Sequence, residues 1–124
     1  MSRTNFEKLE VYRLAERLAD EAWNIVIHWE SLAKDTVGRQ LVRAVGSIGA
    51  NIAEGVGRGS HADNRRFVRT ACGSLHPTQH WLRRAYRHGL LSPEQTARLK
   101  PPGDELAPRL NAYLKSIGHF SDAA

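Results

Sequence analysis

The stretch GSIGANIAEGVGRGS, residues 46–60, decides how this sequence folds. Ile48, Ile52 and Ala53 have the spacing of a buried helix face. Ser47, Asn51 and Glu54 set polar groups beside that face, and glycines stand at 46, 49, 55, 57 and 59. Three readings compete: a site that does chemistry, a loop that cradles phosphate, or a helix packed closely enough to need small residues. The phosphate reading fails on spacing. Gly55-Val56-Gly57-Arg58-Gly59 lacks GxGxxG, follows a helical pattern where a strand would be needed, and has no Lys-Ser/Thr. It reads as a connection.

Upstream, the helical pattern extends back to Asp35 or Thr36. Val37, Leu41, Ala44, Val45, Ile48 and Ile52 form its core stripe, and Gly55 is the natural residue for a left-handed turn at its end. One flank of that stripe, Gly38, Val42, Gly46, Gly49 and Ala53, is small. Each interior glycine costs ~1 kcal/mol relative to Ala, so the flank predicts close approach of another backbone. On the other flank Glu54 sits at the negative end of the helix dipole and calls for a cationic partner. Arg58, Arg65, Arg66 and Arg69 follow just downstream. Ser47, Asn51 and Glu54 therefore read as a structural polar set that fastens the turn. The competing reading, a catalytic or ligand site, lacks a second carboxylate or a nearby base.

Three more helical segments surround this one. Over residues 9–29, Val11, Leu14, Ala15, Leu18, Ala22, Ile25, Val26 and Trp29 recur in steps of three and four. A weaker strip of Tyr12, Ala19, Trp23 and Ile27 lies beside them and hints at a second packing surface. Ser60 followed by Asp63 opens a third helix over 61–88, closed by Gly89, with Asn64, Phe67, Ala71, Leu75, Thr78, Leu82 and Ala85 inward and a break or kink at Pro77. Ser92-Pro93-Glu94-Gln95 is a strong start signal for a fourth segment over 93–117. Pro101-Pro102-Gly103 predicts a break in it, with Leu106, Leu110, Tyr113, Leu114 and Ile117 inward beyond the break. Short connections favour antiparallel neighbours, hence one all-α domain over 1–124, an up-down-up-down four-helix bundle.

Composition agrees with a single domain. The 124 residues are 41% hydrophobic and 25% charged, and they contain no apolar run near the ~20 residues that cross a bilayer. The first residues lack a hydrophobic signal region, and the lone Cys72 excludes an internal disulfide and suits a cytoplasmic protein. Cys72 falls at the edge of the core stripe and reads as a small buried hydrophobe, not a nucleophile. His76 and His80 are one turn apart, but HPTQH carries no glutamate, no third ligand is in view, and a proline stands between them, so no metal site or cofactor is expected.

The net charge of +5 is concentrated: residues 58–88 hold seven arginines against the single acid Asp63. If the third helix is continuous, Arg65, Arg69, His76, His80, Arg83 and Arg87 share one narrow arc opposite its core stripe, extending ~33 Å. Arg58, Arg65, Arg66, Arg69, Arg83, Arg84 and Arg87 are the candidate contacts for RNA or DNA phosphates. The alternative is a solvated face, or one paired across subunits with acids of the first helix, Glu16, Asp20 and Glu21. No base-reading motif is visible.

QLVRAVGSIGANIAEGVGRGS, then RFVRTACGSL and LNAYLKSIG, resembles the bacterial four-helix bundle family that includes proteins encoded in intervening sequences of 23S ribosomal RNA genes. The resemblance covers about Phe6 to Ile117, and Ser-Ile-x-x-Asn-Ile-Ala-Glu-Gly is its specific core. It implies a homopentamer without established catalytic activity. A related member, the accessory variability determinant protein of diversity-generating retroelements, implies nucleic acid and a reverse transcriptase as partners. Tyr12, Trp23, Ile27 and an exposed Trp81 are the candidate oligomer contacts. Two functions from different classes stand: a nucleic-acid-binding accessory module, and an oligomeric scaffold or protein-interaction module with no nucleic-acid role.

Overall fold

The computed structural model describes residues 9–118. Its elements are α1 (Glu10–Val26), α2 (Ser31–Ala33), a π-helical turn (Lys34–Gly38), α3 (Arg39–Val56), α4 (His61–Gly73), α5 (Leu75–Arg87) and α6 (Pro93–Ser116). They make four rods: α1; α2 to α3 through the π turn; α4 with α5; and α6. α3 packs against α1, α4 and α5, while α6 packs against α1 and α4, which closes a four-helix bundle.

The periodic apolar positions build the core. Leu18, Leu41, Ile48, Ile52, Leu106 and Leu110 are fully buried, each removal from water being worth ~1.5–3 kcal/mol. Val11, Leu14, Ala15, Ala22, Ile25 and Val26 join them from α1. Val68 is also fully buried, a position absent from the expected inner face of the third helix. At the bundle's ends, the Trp29 indole donates to the Leu90 carbonyl across 3.1 Å, and Arg109 pairs with Glu10.

Several expected boundaries move. The second rod starts at Ser31, ahead of Asp35 and Thr36, because the π turn carries the helix past them. Thr36 caps nothing; its hydroxyl donates to the Leu32 carbonyl within the helix. Gly55 does not end α3, which runs through it to Val56. Gly55 is needed for closeness: a Cβ there would lie 2.5 Å from Asn64 Oδ1 and 3.2 Å from Phe67 Cβ. Gly38 has the same use, facing Val26 Cγ1 at 2.6 Å. Gly46 and Gly49 do not support the expected backbone approach. A Cβ at Gly46 meets nothing within 4 Å, and one at Gly49 makes ordinary contact with Tyr12 at 3.6 Å. They line an open groove between α1 and α3.

The third rod breaks at Ser74, three residues before Pro77. The proline lacks the N–H that would bond to the Gly73 carbonyl, and its ring crowds that carbonyl, so the helix is interrupted there. Gly89 closes the rod at φ +70°, as its sequence context suggested. The expected break at 101–103 is absent: α6 is continuous through Pro101, Pro102 and Pro108. A full capping box at Ser92 and Gln95 starts it, and Leu99, Pro102, Leu106 and Leu110 form one buried stripe that holds it. The carbonyls deprived of a donor belong to Ala97, Arg98 and Asp104, all exposed residues whose carbonyls water can satisfy.

Candidate nucleic-acid interface

The arginines of the basic run have different local partners. Arg58 pairs with Glu54 at 2.9 Å, the cationic partner that the helix end required. Its guanidinium also lies over the Phe67 ring at 4.7 Å, and that of Arg66 at 4.5 Å, so one aromatic ring carries two cations. Arg66 stands 3.6 Å from Asp63. Arg65 turns to the bundle end, where Nη1 donates to the Ile117 carbonyl across 3.0 Å. These three help fasten the α3–α4 turn and the end of α6.

The rest point outward. Arg69, Arg83 and Arg87 are exposed and make no ion pair among the described residues. Arg84 Nη2 lies 2.9 Å from His88 Nε2. No acidic residue occurs in Leu75–Arg87, so nothing on α5 neutralises Arg83, Arg84 and Arg87. The unbroken arc expected from Arg65 to Arg87 is not formed: Ser74 divides it and Arg65 leaves it. What remains is a compact basic face on α5, with Arg69 on the preceding segment.

The polar flank of α3 gathers no reactive set. Ser47 Oγ lies 2.7 Å from Ser74 Oγ and 2.8 Å from the Ala44 carbonyl, which ties α3 to the break in the third rod. Asn51 donates to the Ser47 carbonyl at 2.8 Å. Glu54 is half exposed beside Arg58. Each group has its own partner, and the three side chains form no nucleophile–base pair with one another.

His76 is exposed and the His80 ring meets Trp81 edge-on at 4.7 Å. Among the described residues no three or more His, Cys, Asp or Glu side chains gather to hold a metal ion. Cys72 is half-buried with Sγ 3.7 Å from Asn111 Oδ1, and burial pushes its thiol pKa above the ordinary value. One aromatic expectation reverses. Trp81, expected to be exposed, is half-buried against the core, whereas Tyr86 is 65% exposed. Thr78 and Ala85 are the buried positions of α5; Trp81 lies between them on that face and Tyr86 turns away from it.

An all-helical bundle without strands among its described residues, bearing a basic face and no assembled reactive set, defines the class of protein. The model of the 23S rRNA-intervening sequence protein family matches residues 7–112, and the chain belongs to that family. The crystal structure, at 1.70 Å resolution, of a protein of unknown function from the S23 ribosomal protein family of Bacteroides thetaiotaomicron is similar in fold. The TM-score is 0.69 at 23% sequence identity, over 87% of this chain and 100% of that one. A search of curated proteins finds no match. Among the described residues no helix is long and apolar enough to cross a membrane.

Proposed function

We propose that this chain is a non-enzymatic accessory module that binds RNA or DNA through phosphates on its basic face, and works as a closed homo-oligomer. The observation that carries this reading is α5: three arginines in one helix without an acidic residue, two of them exposed and unpaired among the described residues. Such a concentration of guanidinium groups suits phosphate, whose oxygens match the planar fork. A pentamer, which the family resemblance implies, would repeat the face five times. Ser47, Asn51 and Glu54 serve the fold in this reading.

Binding through phosphates predicts a steep salt dependence, with a slope of about −0.9 per phosphate neutralised on duplex DNA and less on single strands. The test titrates labelled RNA and DNA at low and physiological salt against the native chain and the double variant Arg83→Glu/Arg87→Glu. Weaker binding to unrelated sequences alike, with the oligomer intact, is expected. Absence of binding at low salt, or binding indifferent to the double reversal, leaves the second reading. That reading is a protein-interaction scaffold, favoured by Trp23, Ile27 and Leu32, large apolar side chains that the fold leaves exposed.

A further inference from the structure

α5 packs on α3 and the π turn, whereas α6 packs on α1 and α4. The corner between α5 and the first half of α6 is therefore open, a cleft of about 310 Å³. That is the low end of ligand-sized clefts. Its floor is apolar, with Leu18, Leu75, Leu82, Leu91 and Leu99 contributing. Tyr86 stands at its edge, the one aromatic residue among those lining it.

We propose that this cleft takes an unpaired base of single-stranded RNA, with Tyr86 as its stacking platform. The inference rests on the nucleic-acid reading above and names the form of ligand. Three observations carry it. The wall bears two cations, Arg83 and Lys100, against one acid, Asp104, and Asp104 is 3.2 Å from Lys100, which leaves Arg83 as the uncompensated charge. At 100° per residue Arg83, Tyr86 and Arg87 fall within one arc of about 100°, so a stacked base has arginines beside it for its flanking phosphates. Gln79 and Thr96 line the same cleft and can meet a base edge or a 2′-hydroxyl, a group that DNA lacks. A duplex keeps its bases stacked on one another and cannot use Tyr86.

Fluorescence anisotropy with labelled single-stranded RNA, single-stranded DNA and duplex RNA separates the possibilities. Tyr86→Ala should weaken single-stranded RNA binding by roughly 5- to 150-fold, the range of one lost stacking contact. It should leave duplex binding and the salt slope unchanged, and Tyr86→Phe should restore the affinity. Tyr86 is exposed, so a melting curve for Tyr86→Ala like that of the native chain is expected and keeps the comparison clean. An equal loss on single strand and duplex, or no loss on either, overturns the stacking platform while the basic-face reading stands. Single-stranded DNA bound as tightly as RNA overturns the choice of RNA. A Tyr86→Ala variant that changes the oligomer's mass but not RNA affinity makes the cleft a subunit contact and overturns the proposal. If the native chain binds no nucleic acid at low salt, both readings fall together.

Discussion

Arg65 Nη1 donates to the carbonyl oxygen of Ile117 across 3.0 Å, and the chain turns at Gly118 directly beside that guanidinium. Gly118 has φ +86°, and a Cβ there would lie 2.8 Å from Arg65 Nη1. The first arginine of the α4 segment is thus a clasp between α4 and the end of α6.

The clasp separates stability from binding. A hydrogen bond from a charged donor contributes about 1.5–3 kcal/mol, so Arg65→Ala should lower the melting temperature by several degrees. The same variant should leave the salt slope of nucleic-acid binding unchanged. Arg83→Ala should do the reverse, with a native melting curve and a slope reduced by about one contact. Thermal melts and salt titrations of the two variants, run side by side, check the assignment.

Two glycines of the opening stretch should respond to alanine with opposite sign. In a helix interior Gly→Ala gains about 1 kcal/mol of propensity. At Gly46 the new Cβ meets nothing within 4 Å, so the gain should survive as a small rise in stability. At Gly55 it meets Asn64 Oδ1 at 2.5 Å and the Asn64 carbonyl oxygen at 3.1 Å, so overpacking of about 1–3 kcal/mol should reverse the gain. Urea titrations that show both variants stabilised would contradict the packing at the α3–α4 contact.

This pair also shows what the sequence could and could not convey. Periodicity placed Leu41, Val45, Ile48 and Ile52 in the core, because apolar spacing records which face leaves water. It could not distinguish the glycine that a neighbour crowds from one that faces a groove, since both look like small residues on a helix. Helix ends were less legible for a similar reason. Pro101 and Pro102 are local breakers, but burial of Leu99, Pro102, Leu106 and Leu110 on the same stripe outweighs their lost hydrogen bonds. For the candidate site, the run of arginines and the Glu54–Arg58 pair one turn apart are plain in the sequence, whereas the Ile117 carbonyl that withdraws Arg65 is remote in the chain and the Phe67 ring that Arg58 and Arg66 share has no periodic signal. The exposure of Tyr86 had no signal of its own; it follows from which turn of α5 faces α3.

Glu54→Ala tests the polar flank. The Glu54 and Arg58 side chains are 53% and 43% exposed, and exposed pairs contribute only about 0–1 kcal/mol. Loss of a carboxylate from the negative end of the helix dipole offsets part of that. The expected change in stability is therefore below about 1 kcal/mol, less than a fully buried polar set would cost. A larger fall would show that Glu54 holds more than Arg58.

Cys72 should alkylate slowly. Its thiol pKa is raised by burial, so at neutral pH it presents less thiolate than an exposed cysteine, and only the thiolate reacts. Because the folded value lies above the unfolded one, any stability it contributes is present below the unfolded pKa and is lost as pH rises through the folded value. Iodoacetamide labelling in buffer and in denaturant should differ, with the denatured chain faster. Equal rates would place the thiol in open solvent.

The exposed strip on α1 should carry self-assembly. Trp23 is 55% exposed and Ile27 42%, one turn apart, and Ala19 and Tyr12 continue the same line toward the groove beside Gly46 and Gly49. Covering such a strip gains about 25 cal/mol per Å² of apolar surface removed from water, and for the exposed parts of Trp23 and Ile27 that gain is left to a partner. Light scattering after gel filtration should therefore give a multiple of 13.9 kDa for the native protein. Trp23→Asp/Ile27→Asp should shift the mass to a single chain while the helical circular dichroism persists, because neither side chain belongs to the buried core. An unchanged mass would move the interface to another face, and a native monomer at micromolar concentration would remove the oligomer altogether.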